Sequence, residues 1–545
     1  MTMRLNGRVQ KLWAIDTRGL ALLRMGLAAL LLVDLMGRGL SLRAHYTDHG
    51  VLPRAAAYGS GAMAWISPYA FSGGVVLNAI LFMVAACFAL MLLVGYRTRL
   101  ATALSWLMLV FLHGRNVVVL NSGDTLLGLL LFWSIFLPLG ACASVDARGG
   151  AVAGRPQRVV CSVASLALVA QIILMYLFTA LFKDHPIWHT DHTAVDYALN
   201  LDPFTTPLGR WLLQFPMLTR VLTYATYRLE LYGPVLLLVP FGTRYWRLLA
   251  VVGFVGLHLG LALTMRLTLF PYVCILIWLS LLPTEAWDRS LRVGPLAWGR
   301  LAWDRILDRV TKWIVSAARR VAWLAPSPPW WRLSKDEAAM VIAALIFTIS
   351  WNVSVYRPSW PLSNQIRRYG TDTPLFQDWA MFAPHPMRED GWFVAPARLR
   401  NGQEVNLLAG GDEVTWDRSP QSLEPMRPYR WRKYLNNLWI TQVHRPNIRY
   451  YADWLRRQWN QRHPASEQIR SMAIGFVCEY TQPDDQPHVM SKHLLYEWDG
   501  PNSERVTNYL ETRRQLEAAR SLNQTAKGRR TAFIIDLATR GRVND

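Results

Sequence analysis

Long apolar runs constrain this chain more than any other feature, because they match the thickness of a lipid bilayer. Nearly all of them lie before Pro283. A helix needs about 20 apolar residues to cross a hydrocarbon core ~30 Å thick. Charged residues make up only 17% of the chain, whereas soluble domains usually carry about 25%. The sequence therefore predicts a mainly α, polytopic membrane protein.

We predict nine spans, of which the third and eighth are short for a bilayer: 19–37, 72–95, 100–114, 123–141, 159–183, 226–243, 247–265, 268–283 and 338–356. Arginine and lysine crowd the loops on one side of these spans, above all 284–337. By the positive-inside rule, this bias puts the N-terminus in the cytoplasm of a cell whose inner membrane holds the chain. An odd number of spans then puts everything after Tyr356 outside.

The basic segment Trp287–Pro326 places apolar residues at near-helical spacing among arginines and lysines. This pattern predicts an amphipathic helix on the anionic cytoplasmic leaflet. A soluble linker helix is the alternative interpretation. We expect four regions in the chain: a bundle at 1–284, this basic segment at 285–337, a last span at 338–357 and an outer domain at 358–545.

The outer region is polar and aromatic, and its patterns predict an extracytoplasmic β-rich α+β domain. Two strand-like runs flank Asn401-Gly402, a dipeptide typical of tight hairpin turns. The stretch 430–470 is typical of helices, Ser471–Gln482 is typical of a strand, and Ser503–Leu522 predicts a charged helix.

Two classes of partner are not expected. The net charge is +21, but the basic residues lie in the loops between spans and no nucleic-acid motif accompanies them. No nucleic-acid partner is therefore predicted. No metal site is predicted either, since the five cysteines form no Cys-x-x-Cys pair. The His- and Asp-rich run Asp184–Asp196 lies at a membrane boundary and is interrupted by Pro186.

Ionisable residues within spans are costly and often functional. In the first span, Arg24 and Asp34 lie about 80° apart around the helix and ~15 Å apart along it. We therefore expect them not to pair with each other. Each needs another partner, although Asp34 lies near the end of the span and could reach water.

The stretch Phe111–Trp133 interrupts an apolar hairpin with the polar residues His113, Arg115, Asn116, Asn121 and Asp124. One interpretation is an external loop, with Asp124 at a helix N-terminus where a carboxylate is favoured. The other is a polar wall of a site facing the outer leaflet, where Asp124 shapes a pocket and Arg115 and Asn121 bind substrate. The residues leave both open.

Three further residues raise the same question. Lys183 ends a long apolar run, Glu230 opens the sixth span and His258 lies in the middle of the seventh. Lys183 is either an anchor that reaches the membrane edge or a desolvated base whose pKa is lowered by burial. A lone buried histidine such as His258 is usually a hydrogen-bonded core residue.

Six stretches together resemble the horizontally transferred transmembrane (HTTM) domain family, the bacterial relatives of vitamin K-dependent gamma-carboxylase. They are ALLRMGLAALLLVDL, AHYTDHGVLPR, GRNVVVLNSGDTLLGLLLFWSIFLPLGACASVD, TALFKDHPIWHTDHTAVDYALNLD, HLGLALTMRLTLFPYVCILIWLSLLP and WAMFAPHPMREDGWFV. They cover the region from about 14 to 284 and the start of the outer domain.

The resemblance implies a nine-span bundle with an external β-rich domain. It also implies that Lys183, followed five residues later by Trp188, is the base that deprotonates reduced vitamin K or another quinol. The oxygenated quinone would then take a proton from a glutamate side chain, to which carbon dioxide adds, in a carboxylase- and epoxidase-like lyase reaction. His258 falls in the later His-bearing span of the family.

The sequence also departs from the carboxylase. Gly123 stands where the carboxylase has an assisting histidine, and Phe182 stands where a second lysine would precede the base. Two hypotheses follow, and a transporter is a third class that the sequence disfavours, because the short third and eighth spans suggest broken helices but no inverted repeat accompanies them. The first is a membrane enzyme that uses Lys183, with Asp124, Glu230 and His258 shaping the pocket, on a quinone or lipid at the outer leaflet. The second is a non-enzymatic scaffold, immunity or export-partner protein whose outer domain binds a protein partner.

Overall fold

A computed structural model gives the fold. It describes residues 11–58, 66–149, 158–290, 295–318, 325–326, 332–360, 362–363, 366, 370, 373–418, 426, 428–482, 489–501, 503–508 and 514.

The longer helices are numbered here in chain order. They are α1 (Thr17–Gly39), α2 (Val75–Val94), α3 (Thr98–Arg115), α4 (Ser122–Ser134), α5 (Val163–Leu181), α6 (Pro216–Tyr232), α7 (Thr243–Thr264), α8 (Leu269–Ser280), α9 (Pro295–Ala318), α10 (Lys335–Tyr356), α11 (Tyr429–Ile440) and α12 (Ile448–Asn460).

Within the described part of the chain, five helices are long and apolar enough to cross a membrane by length and composition: α1, α2, α5, α7 and α10. The apolar helix α8 is shorter. The prediction of a mainly helical chain is therefore confirmed, with five candidate membrane spans where the sequence predicted nine.

Several of these helices begin where a polar side chain satisfies free backbone N–H groups. Asp16 caps α1 by accepting a hydrogen bond from the N–H of Arg18 at 2.9 Å. Ser162 and Ser165 form a reciprocal capping box at the start of α5, and Ser334 forms one at the start of α10. A capping side chain contributes roughly 1 kcal/mol to helix stability. These capping residues therefore favour the observed starting points of the helices.

The helices pack around one apolar core, to which α1, α4, α5 and α8 contribute buried residues such as Leu27, Leu130, Ile172 and Val273. Helix α1 contacts both α2 and α8. Gly19 of α1 lies so close to α8 that a Cβ atom there would stand 2.1 Å from the carbonyl oxygen of Ser280. Small residues allow this close approach of helices.

The sixth predicted span, 226–243, differs from the structure. The α-helix α6 starts earlier and ends at Tyr232, and a 3-10 helix continues as Gly233–Leu238. Pro234 explains the change, because proline has no N–H to donate and its ring clashes with the preceding turn.

The outer region folds around an antiparallel sheet. Its strands are β3 (Glu389–Val394), β4 (Pro396–Leu399), β5 (Glu404–Asn406), β6 (Ile469–Tyr480), β7 (Val489–Trp498) and β8 (Glu504–Val506), while β1 (Ile15–Asp16) and β2 (Val159–Val160) pair separately. Strands run in the order β5-β4-β6-β7-β8, and β3 pairs with the other end of β6.

The predicted hairpin at Asn401-Gly402 is confirmed, since β4 pairs antiparallel with β5 and Gly402 has a φ of +88°. The helices α11 and α12 and the strand β6 also lie where the sequence predicted them. The predicted charged helix at 503–522 is wrong at its start, because Glu504–Val506 form the edge strand β8 against β7. Nearly all the rest of that stretch lies outside the described residues.

The outer domain shares its core with loops of the bundle. Val51, Leu52, Val118 and Val119 are buried in the same apolar cluster as Leu435 of α11. In the other direction, the segment after α10 enters the bundle, where Gln377 and Trp379 are fully buried. The two regions are therefore packed together through both sets of loops.

The basic segment contains the predicted helix, α9. One side of α9 packs on the bundle, with Leu307 and Ile314 buried against Val145. Leu301 and Trp313 are exposed on the remaining surface. A helix with an exposed apolar stripe among basic residues is typical of a membrane-surface helix.

Candidate functional site

Lys183 lies two residues beyond the end of α5. Its backbone N–H donates to the carbonyl of Ala180 at 3.1 Å, which closes the last turn. The side chain is only 2% exposed. Lys183 is thus buried rather than extended towards water, which argues against the anchor interpretation.

The Lys183 ammonium is held by two partners. It donates a hydrogen bond to the carboxylate of Glu230 on α6. It also lies over the ring of Trp188, 4.4 Å from the ring centroid, within the range of a cation–π interaction. Burial lowers the pKa of the Lys183 amine, and the nearby Glu230 carboxylate opposes that shift.

Trp188 is fixed by contacts on both sides. Its indole N–H donates to the carbonyl of Phe382 at 3.1 Å, and the residue is buried beside Ile187 and Tyr197. Phe382 belongs to the segment that follows α10 and has a φ of +53°, an uncommon conformation for an aromatic residue. The surroundings of Lys183 therefore combine the bundle with residues from the outer region.

His258 of α7 lies in a neighbouring hydrogen-bonded group. Its Nε2 is 2.6 Å from the hydroxyl of Tyr176, which also accepts a hydrogen bond from the indole N–H of Trp278 at 3.0 Å. His258 is therefore a hydrogen-bonded core histidine, as the ordinary interpretation expects. Tyr176 lies on α5, which packs against α6, the helix that carries Glu230, so this group adjoins the Lys183–Glu230 pair.

Asp124 lies in a cluster of four buried charges, together with Asp34, Arg38 and Arg430. Arg38 donates to Asp34 and to Asp124, both at 2.7 Å. Arg430 of α11 donates to both oxygens of Asp124 at 2.8 Å and also pairs with Asp34. Two arginines thus balance two aspartates at the contact between the bundle and the outer domain.

Asp124 also caps α4, as one of the two interpretations predicted. Its carboxylate accepts from the backbone N–H of Asn121 at 2.9 Å and from the Asn121 side chain at 2.7 Å. Asn121 in turn accepts from the N–H of Gly123 at 2.7 Å. Asn121 and Asp124 therefore form a capping box.

The partners of Arg24 and Asp34 are now defined. As predicted, they do not pair with each other. Arg24 donates to the backbone carbonyls of Leu93 at 2.9 Å and of Ala143 at 2.6 Å. The suggestion that Asp34 reaches water is wrong, because the two arginines bury it to 5% exposure.

Arg115 is fully buried, and it donates to the carbonyl of Leu52 at 2.9 Å. Its guanidinium is 3.9 Å from the carboxylate of Asp48. These contacts tie the loop after α1 to the end of α3.

The structure thus brings together some of the predicted site residues and separates others. Lys183, Glu230 and Trp188 form one group, and His258 belongs to the adjoining group. In the described residues, no hydrogen bond or ion pair joins Lys183 to His258 or to Asp124. Asp124, Asn121 and Arg115 lie in the loops that contact the outer domain.

Sequence reasoning missed three residues that complete these groups. Arg38 directly follows the first predicted span, 19–37, Tyr176 lies within the fifth, 159–183, and Arg430 begins the predicted helical stretch 430–470. A helical projection places Arg38 one turn beyond Asp34, and this i,i+4 spacing was the available signal. Nothing local distinguishes Arg430 or Tyr176 from their neighbours.

Among the described residues, no group of three or more His, Cys, Asp or Glu side chains is arranged to hold a metal ion. His189, in the run considered above, instead lies with its Nε2 2.6 Å from the carbonyl oxygen of Lys183. This contact adds to the fixed geometry of the turn that carries Lys183.

Comparison with known proteins gives one match. No curated protein and no solved structure is significantly similar. Residues 13–287, half of the chain, match the HTTM domain. That range holds α1 through α8 together with Lys183, Glu230 and His258. The chain therefore belongs to the HTTM domain family.

Proposed function

We propose that this protein is a membrane enzyme that uses Lys183 as a base on a quinol or a lipid at the outer leaflet. The observation that carries the proposal is the buried pair of Lys183 and Glu230 at the end of a candidate membrane-spanning helix. Removing two charges from water is expensive, and an apolar pair of similar size would often be as stable. Ionisable groups kept in such places usually serve function.

The Lys183–Glu230 pair can supply a base, the neutral amine of Lys183, in a site that excludes bulk water. In a water-poor site, the form with a neutral amine and a protonated carboxyl lies closer in free energy to the ion pair than it would in water. When the proton resides on Glu230, the Lys183 nitrogen has a free electron pair. It can then accept the proton of an acidic hydroxyl, which leaves an oxyanion beside the Lys183 ammonium.

The surroundings suit an apolar aromatic substrate such as a reduced quinone. Trp188 provides a buried aromatic face beside the amine, and Phe178 and Phe182 lie near the end of α5. A quinol would supply the hydroxyl proton, and its own later oxidation would supply the electrons that reduce molecular oxygen as the co-substrate. We derive no carboxylation step, because Gly123 and Phe182 replace the residues that the carboxylase resemblance would require.

The proposal includes a topology. We place about nine spans in the inner membrane, with a cytoplasmic N-terminus. Five candidate spans are consistent with a helical membrane bundle, and the basic residues of 284–337 favour this orientation. The chain would divide into the bundle at 1–284, the basic segment at 285–337, the last span at 338–357 and the outer domain at 358–545. In this arrangement, Lys183 faces the outer leaflet and α9 lies on the cytoplasmic leaflet.

The test compares purified protein in nanodiscs with and without a reduced naphthoquinone. Oxygen uptake driven by the quinol is measured for the parent chain and for Lys183→Met, Glu230→Gln and Lys335→Met. Because general-base catalysis is worth about 10²–10⁴-fold, we expect Lys183→Met to lose at least ~100-fold. Lys335→Met removes an exposed lysine and should leave the rate unchanged.

The pH profile gives a second measurement. A base works in its deprotonated form, so the rate should rise with pH through the lowered pKa of Lys183 and fall as the amine becomes protonated. NMR of ¹³C-methylated lysines, assigned with Lys183→Met, should show a Lys183 signal that responds to the quinol. A Lys183 signal indifferent to quinol, with equal rates in all variants, would refute the base role.

A non-enzymatic scaffold is the second candidate. The firm attachment of the outer domain favours it, because Arg430 and Gln377 are both buried at the contact with the bundle. A rigidly held domain is suited to presenting a binding surface to a protein partner. The scaffold function predicts that Lys183→Met binds any such partner as well as the parent chain does.

A further inference from the structure

A cavity lies where the outer domain meets the bundle, and none of the residues of the Lys183 site lines it. Its volume is about 700 Å³, within the range of small-molecule sites. The turn after α1, the start of α2 and the helices α11 and α12 form its walls. In the proposed topology, this position is the outer surface of the membrane.

The walls of this cavity differ in chemistry. One wall is apolar and includes Leu40, Val75 and Ala79. The other is aromatic: the Trp431 and Trp454 ring centroids are 4.9 Å apart, and Tyr451 stacks on Trp454 at an interplanar angle of 12°. Trp431 also packs against His45, whose ring centroid is 4.5 Å away. The aromatic wall is therefore preorganised before any ligand binds.

The polar side chains among the lining residues can all donate hydrogen bonds. Arg43 and Ser41 line it, as do the hydroxyl-bearing Tyr451 and the two tryptophans. No aspartate or glutamate is among its described lining residues. Tyr451 is 2% exposed, yet no hydrogen bond engages its hydroxyl among the described residues. Arg43 likewise has no ion-pair partner there.

The apolar wall continues onto a lipid-facing surface. Leu40 is 87% exposed and Val76 is 73% exposed. Exposing these apolar side chains to water would be unfavourable. Helix α2 is a candidate membrane span, and most of its apolar window faces outwards. An acyl chain that leaves the cavity along Val75 and Ala79 would therefore enter the bilayer.

We propose that this cavity binds one anionic phospholipid of the outer leaflet. Its phosphate would accept hydrogen bonds from Arg43 and from the Tyr451 hydroxyl, since arginine recognises phosphate through a charge-assisted fork of N–H donors. Its glycerol region would pack on Trp431 and Trp454, residues typical of the membrane interface. Its acyl chain would follow α2. The site does not depend on the function proposed for Lys183.

The test measures lipid binding to the purified full-length protein by native mass spectrometry. The parent chain is titrated with phosphatidylglycerol and with phosphatidylcholine, and the same titrations are made with Arg43→Gln and Arg220→Gln. We expect phosphatidylglycerol to bind at least tenfold more tightly than phosphatidylcholine. Arg43→Gln should remove most of that preference, whereas Arg220→Gln, which changes an exposed arginine outside the cavity, should retain it.

Two additional arms test the cavity itself. Ala79→Phe fills the apolar wall and should weaken binding of both lipids about tenfold, with thermal unfolding checked to confirm that the variant is folded. Glycerol phosphate should not displace phosphatidylglycerol at equal concentration, because it lacks the acyl chain. Equal binding of both lipids, an unchanged preference in Arg43→Gln or full displacement by glycerol phosphate would each overturn the proposal.

Discussion

At the scale of single residues, the cluster of Asp34, Arg38, Asp124 and Arg430 is the most informative feature of this chain. All four side chains are 5% exposed or less. Three come from the bundle, and Arg430 comes from the outer domain. Charges buried in this way are stable only as a balanced set, because a single unpaired charge there has no water to solvate it.

Removing Arg430 should therefore destabilise the whole protein. Arg430→Met leaves two aspartates facing one arginine, and breaking a buried pair typically costs about 3–5 kcal/mol. We expect a lower thermal unfolding temperature in detergent, measured by intrinsic tryptophan fluorescence. Arg418→Met, which removes a more exposed arginine paired with Asp202, should change the temperature much less.

A double substitution separates charge balance from packing. Asp34→Asn with Arg430→Met leaves Arg38 opposite Asp124, a balanced pair. The double variant should be more stable than the sum of the two single losses predicts, which is the signature of direct coupling. Additive losses would contradict the account of the cluster as a charge-balanced unit.

At the scale of elements, close helix packing depends on small residues at particular positions. Gly19 and Gly37 both lie in α1, but only Gly19 faces another helix at close range. A Cβ at Gly19 would stand 2.1 Å from the Ser280 carbonyl oxygen, whereas a Cβ at Gly37 would meet nothing within 4 Å.

The two glycines therefore form a matched pair of tests. Gly19→Ala should force α1 away from α8 and cost roughly 1–3 kcal/mol, as overpacking usually does. Gly37→Ala should be neutral or slightly stabilising, because alanine favours helix over glycine by about 1 kcal/mol. Unfolding temperatures of the two variants give the comparison, and equal values would show that α1 and α8 are not in close contact.

Helix α6 shows that an apolar run need not form one continuous α-helix. The apolar run at 226–243 indicated a span, but Pro234 converts its second half into a 3-10 helix. The result places Glu230 near the end of α6, opposite Lys183, rather than at the start of a span. The α-helical part of this run thus ends just before Pro234, two residues after Glu230.

At the scale of the whole molecule, residues of the outer region pack into the helical bundle. Gln171 of α5 donates to the buried Gln377 at 2.8 Å, and Phe382 holds Trp188. Since the HTTM match ends at residue 287, the Phe382 carbonyl that fixes Trp188 beside Lys183 lies beyond the family region. The outer region could therefore tune the proposed site in this chain.

The topology makes a direct prediction for intact cells. Gln403→Cys, in the exposed hairpin turn, and Arg309→Cys, on α9, are each expressed in a bacterial host, with labelling of the parent chain subtracted. A membrane-impermeant maleimide should label Gln403→Cys in intact cells and Arg309→Cys only after permeabilisation. The reverse pattern would place the outer domain in the cytoplasm.

The sequence alone determined the features that depend on local patterns. Apolar run length indicated the five candidate membrane spans, Asn401-Gly402 indicated a hairpin, and one of the two interpretations of Asp124 placed it at a helix N-terminus. Each of these depends on residues close together in the chain. The sequence also singled out Lys183 and Glu230, because a charge at the end of an apolar run is unusual by itself.

Only the tertiary structure decided which of these residues meet. Lys183 and Glu230 are 47 positions apart, and Arg430 reaches Asp34 across 396, so no local pattern encodes either contact. The same holds for Asp124: the enzyme hypothesis placed it in the Lys183 pocket, whereas the structure pairs it with Arg38 and Arg430. The physical reason is that a buried charge must find its opposite wherever packing brings one, and packing depends on the whole chain.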